Sequence, residues 1–67
     1  MGDPDGCARV LAAIDEHWRG DESLGRSLGT TAAHVRRCLS AALARGEVQT
    51  PRGAYAGRLW RRARPPA

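Results

Sequence analysis

The longest uninterrupted helical pattern in this chain runs from Thr30 to Gly46, TTAAHVRRCLSAALARG, and it constrains everything else. A chain of 67 residues has room for one small core, so the other elements must pack against this one. At 3.6 residues per turn Val35, Leu39, Ala42 and Leu43 share one side, flanked by Cys38. A core-facing helix needs only that stripe. The opposite side carries Arg37, Ala33, Ala41 and Ala44, with His34, Ser40 and Arg36 at its edges. Long cationic side chains set among alanines let the backbone come close to a neighbour, as a helix in a DNA major groove must. A solvated face on an alanine-rich helix is the plainer alternative.

Charge is unevenly spread. Residues 1–22 hold six acids and two arginines, a net of −4. Residues 23–67 hold nine arginines and one acid, Glu47, a net of +8. Every basic residue is arginine, which with the abundant alanine suggests a GC-rich genome. A basic block of this density is the electrostatic footprint of a polyanion binder. A basic soluble surface without a partner is the competing explanation. No apolar run is long enough to span a membrane, and the N-terminus lacks the charged start and apolar middle of a signal peptide. Met1-Gly2 could suggest myristoylation, but Gly6 stands where that pattern wants Ser or Thr. The chain therefore reads as intracellular, cytoplasmic and nucleoid-associated if DNA is its partner. Cys7 and Cys38 belong to no CxxC pair and lie on apolar faces, so buried reduced thiols are expected. A metal site would have to recruit His17 and His34 at a spacing that matches no zinc signature, and none is expected.

In chain order, Asp3-Pro4 predicts a cap followed by the first helical position. Cys7, Val10, Leu11, Ile14 and Trp18 recur at helical period, with Asp15 and Glu16 off the stripe, up to a stop at Gly20. On that pattern Trp18 packs in the core and His17 lies at the surface. A short second helix opens near Asp21 or Ser23 as cap, buries Leu24 and Leu28, and ends at Gly29. Gly25 inside it is a cost that close helix packing would explain. Thr30 or Thr31 caps the third helix. Beyond Gly46 the period changes. Val48 to Thr50 and Tyr55 to Arg61 predict a β-hairpin around Pro51-Arg52-Gly53. Val48, Leu59 and one of Tyr55 or Trp60 should cover the core. The domain is expected over residues 1–62, with residues 63–67 a frayed basic, proline-rich tail.

This skeleton, Leu24, Leu28-Gly29, Val35, Leu39, Gly46, Val48 and then the hairpin, resembles the winged helix-turn-helix family. The resemblance covers about Cys7 to Arg62. It implies a mainly α fold with a small β-hairpin: three helices plus a C-terminal wing. Ala42 stands where a leucine is usual, with Leu43 expected to compensate, and Glu47 is polar where an apolar residue is frequent. Leu59-Trp60 also looks similar to the wing of the Z-alpha family, which grips left-handed nucleic acid, and Arg37 matches a basic contact there. That family's central asparagine, contacting tyrosine and helix-start lysine fall at Arg36, Ser40 and Ala32, so only Trp60 and Arg37 are carried over.

The expected function is binding of double-stranded DNA by a small transcriptional or architectural regulator. Arg36 and Arg37 would read base edges or phosphates, helped by His34 and Ser40. Thr30, Thr31 and the helix start would hold a phosphate. Arg52 and Arg58 on the wing would meet the backbone or minor groove. So small a reader would gain specificity as a homodimer on a two-fold operator or beside other modules. A protein-docking winged helix is the alternative, and Z-form binding a minor one. No carboxylate pair, activated nucleophile or phosphate-cradling loop points to an enzyme, and no cofactor or small-molecule ligand is evident.

Overall fold

The computed structural model describes residues 6–63. The elements run α1 (Cys7–Ala12), β1 (Arg19–Gly20), α2 (Asp21–Leu28), α3 (Ala32–Ala44), β2 (Val48–Gln49) and β3 (Leu59–Arg62). The strands form one antiparallel sheet in the order β1-β3-β2. Three helices and this small sheet enclose a single cluster built from Val10, Ile14, Leu24, Val35, Cys38, Leu39, Ala42, Val48 and Trp60.

The first helix is shorter than its apolar stripe. The expected cap at Asp3-Pro4 lies outside the described residues. At the other end Ala13 closes α1 through the Arg9 and Val10 carbonyls. The Asp15 carboxylate then accepts the His17 N–H at 2.9 Å and the Arg19 guanidinium at 2.6 Å. Aspartate that bonds its own downstream backbone competes with the helix for those donors. These bonds, with the Arg19 partnership first, hold the Asp15 carboxyl down to about 2 from its ordinary 3.8. Because this folded value is depressed, its support is present above the ordinary value and is lost as pH falls through about 2. The chain leaves the helical path here, so Trp18 misses the core and is 41% exposed. The core aromatic is Trp60, 1% exposed on the inner face of β3. β1, which the periodicity did not predict, is where the diverted chain pairs Arg19 with Trp60 and Gly20 with Leu59.

Helices α2 and α3 meet at the expected glycine turn. Neither Asp21 nor Ser23 caps α2. Gly20 holds the cap position without a side-chain bond, and the Asp21 N–H goes to the Arg58 carbonyl at 3.0 Å. The end of α2 is closed by bonds from Thr30 N–H to the Gly25 carbonyl and from Gly29 N–H to Arg26, with Gly29 at φ +70°. The same bond pair ends α3, from Glu47 to Ala42 and from Gly46 to Leu43. Gly25 is explained by close approach: a β-carbon there would lie 3.1 Å from backbone atoms of Thr30, Thr31 and Ala32. Gly25→Val should therefore cost about 1–3 kcal/mol by overpacking. Urea melts of parent and variant check this. An unchanged midpoint would mean that the two helices slide apart freely.

α3 keeps its predicted register, with Val35, Leu39 and Ala42 buried and Thr31 accepting the His34 N–H at 3.1 Å. Leu43 does not compensate for Ala42. It is 40% exposed, while Ala42 is fully buried in the cluster with Val48 and Trp60. The hairpin is also shorter than expected. Tyr55 to Arg58 form turns rather than strand, with Arg58 N–H bonded to Tyr55 and Ala56 N–H to Gly53. The Thr50 hydroxyl pins this loop by donating to the Leu59 carbonyl and accepting the Gly57 N–H. Ala63, assigned by the sequence to the tail, donates its N–H to the Glu47 carbonyl; residues 64–67 lie outside the described residues.

The cysteines overturn the expectation of free thiols. Cys7 and Cys38 form a disulfide with their Cα atoms 5.3 Å apart, tying α1 to α3 across a separation of 31 residues. The helical stripes had placed both on inward faces, and packing those faces together brings the sulfurs into contact. A bridge of this kind is favoured by oxidising surroundings, so the thiols no longer argue for a reducing compartment. Among the described residues no helix is long and apolar enough to cross a membrane.

Candidate nucleic-acid interface

The outward face of α3 follows from its inward one. With Val35, Cys38, Leu39 and Ala42 turned to the core, Ala33, Arg37, Ser40, Ala41 and Ala44 are exposed. Arg37 makes no hydrogen bond or ion pair among the described residues, so its guanidinium is available to a partner. On either side of it along the helix stand alanines and one serine, none of which reaches as far as the guanidinium.

The other expected contacts fare differently. Thr31 is exposed and committed to capping, and Thr30 is half-buried in the turn. Arg36 points along the side of α3 and gives its Nε–H to the Asp21 carboxylate at 2.9 Å. Asp21 is 4% exposed, so this pair compensates a buried charge at the start of α2. His34 turns away from the outer face: its Nε2 lies 3.7 Å from the Cys38 sulfur. Trp60 is in the core and unavailable for contact. Its indole N–H has no protein partner, the one such buried side-chain atom among the described residues. Arg52 and Arg58 are exposed in the 50–58 loop, where each side chain is unpaired among the described residues. The sequence-derived set thus separates into Arg37 and Ser40 on α3, Arg52 and Arg58 on the loop, and five residues with structural duties.

Two neighbours escaped the sequence reading. A cleft of about 300 Å³ between the start of α2 and the loop brings Arg26 and Tyr55 to Arg58. Arg26 looked like an ordinary solvated position of a short helix, and Tyr55 was assigned to a strand. Nothing in the local pattern joins two residues so far apart.

On the sheet's outer face Arg61 lies over the exposed Trp18 ring, 4.4 Å from its centroid, and donates to the Gln49 side chain at 2.9 Å. The register sets Arg61 opposite Gln49, and Trp18 stands immediately before β1. Guanidinium stacking on indole stabilises the Arg61–Trp18 contact. Compared with protein-family models, curated proteins and solved structures, the chain matches none.

Proposed function

We propose that this chain is a winged helix-turn-helix protein that binds double-stranded DNA as a small regulator, with α3 in the major groove and the 50–58 loop on the backbone or minor groove. One observation carries the reading: an arginine unpaired among the described residues, Arg37, at the centre of a helix face otherwise made of alanine and serine. A guanidinium there can bond guanine O6 and N7 together, and the small neighbours let the helix enter the groove. The element order supports the fold half of the reading, with α2, a tight turn and α3 followed by strands around an arginine-bearing loop. The +8 of residues 23–67 supports the choice of a polyanion. A homodimer on a two-fold operator would supply specificity that one small module lacks.

The docking alternative draws on Leu43, whose exposed side chain beside Ala44 offers an apolar contact. Against it stands Arg37, since docking faces are depleted of charge at their centres. For Z-form binding Arg37 is the one remaining match, because Trp60 is buried.

Binding to random duplex should depend steeply on salt, with log K against log[salt] sloping about −3 to −4.5 if three to five phosphates are neutralised. Arg37→Ala should cost about 1–3 kcal/mol on a selected site and blunt sequence preference. Arg52→Ala should weaken all duplexes alike and reduce the slope by about one. Titrations of both variants on selected and random DNA at two salt concentrations separate these effects. If Arg37→Ala binds every duplex like the parent but loses capture of a protein partner, the docking reading replaces this one.

A further inference from the structure

The Cys7–Cys38 bridge has a chemically uneven setting. Cys7 is half-buried at the start of α1, whereas Cys38 is 2% exposed in the core. The sulfur of Cys38 has His34 Nε2 within hydrogen-bonding range, one helical turn away. A β-carbon at Gly6 would lie 3.5 Å from that same nitrogen, so the imidazole sits against bare backbone just before Cys7. Next to this imidazole, beside the bridge rather than over its sulfurs, a cleft of about 230 Å³ opens, lined by Gly6, Arg9, Thr30 and His34 among others. Arg9 gives one N–H to the Leu28 carbonyl at 3.4 Å. Its other donors have no partner among the described residues.

We propose that this bridge is an exchange site for a small carboxylate-bearing thiol, which anchors its carboxylate in the cleft beside Arg9 and reaches Cys7 to form a mixed disulfide there. The incoming thiolate attacks the sulfur of Cys7, the less buried residue of the pair. A new S–S bond forms there as the Cys7–Cys38 bond breaks, and the electron pair departs on the Cys38 sulfur. His34 Nε2 meets this developing charge and delivers a proton to it. The proton released when the incoming thiol ionised returns to the imidazole through solvent. Burial in the core disfavours a bare thiolate at Cys38, so its departure depends on the proton that His34 supplies, and a thiolate leaves faster the better its charge is accommodated. A second thiolate can then attack the mixed disulfide. That step releases the small disulfide and leaves two protein thiols, so two small thiols are oxidised as one bridge is reduced. The reverse sequence rebuilds the bridge. The inference stands whether or not α3 meets DNA.

The test incubates the folded chain with reduced glutathione, quenches by alkylation and locates the adduct by mass spectrometry. The expected adduct is on Cys7, with Cys38 alkylated, and its rate rises in proportion to glutathione. His34→Gln should slow formation about tenfold. Arg9→Gln should slow reaction with glutathione and leave reaction with uncharged 2-mercaptoethanol unchanged. The proposal is overturned by an adduct on Cys38, by a rate that ignores thiol concentration and equals the unfolding rate, or by parental rates in both variants. Circular dichroism of the oxidised variants checks folding. Should a variant not fold, adduct position and concentration dependence in the parent chain decide the matter.

Discussion

Leu39→Ala should lower the stability of the fold by about 2–5 kcal/mol. Leu39 is fully buried at the middle of α3, in the cluster that joins α1, α2 and the sheet. Removing its side chain takes away burial and leaves a void that close neighbours cannot fill without moving. A domain of 67 residues, at roughly 0.05–0.15 kcal/mol per residue, has only about 3–10 kcal/mol in all. The variant should therefore be largely unfolded near body temperature, which a thermal melt by circular dichroism would show. Parental melting would mean that the register of α3 is wrong, and with it the outward placement of Arg37 and Ser40.

Loss of the disulfide should have an effect of similar size. The bridge closes a loop across 31 residues. On the chain-entropy account a loop of that length is worth about 3–4 kcal/mol through the unfolded state. The Cys7→Ala, Cys38→Ala double variant should lose that much in denaturant titrations, and the parent chain should approach the same midpoint once fully reduced. α1 has six residues and a single fully buried side chain, Val10, so it depends on the bridge more than α2 or α3 does. Hydrogen exchange should then quicken first in α1. Equal midpoints with and without the bridge would show that packing alone holds α1 in place. The two effects will not add, because Cys38 and Leu39 are neighbours in one cluster.

What was legible in the sequence was what short-range pattern controls. The stripe of Val35, Leu39 and Ala42, the turn at Gly29 and the end of α3 at Gly46 all follow from local period and glycine chemistry, and the structure has each in place. Several of the misreadings turn on a distant partner. Trp18 continued the α1 stripe on paper, yet Asp15 turned the chain aside and β3 captured Arg19 and Gly20. Two residues including a glycine carry no alternation that could announce a strand. Arg36 looked as free as Arg37 because Asp21, its partner, lies fifteen residues back. The cysteines looked separate because their meeting depends on how α1 crosses α3. Within the candidate site, Arg37, Ser40, Arg52 and Arg58 were readable as exposed polar positions, whereas Arg26 and Tyr55 joined them only through the fold.

Asp21 holds two parts of the molecule at once. Its backbone N–H takes the Arg58 carbonyl at the foot of the loop, and its carboxylate takes Arg36 on the side of α3. One residue is thus the joint between two levers, the loop that carries Arg52 and the helix that carries Arg37. Whatever pulls on either lever is felt at that joint. The reach between the two outlying guanidiniums is gauged there, at a buried aspartate in the first turn of α2.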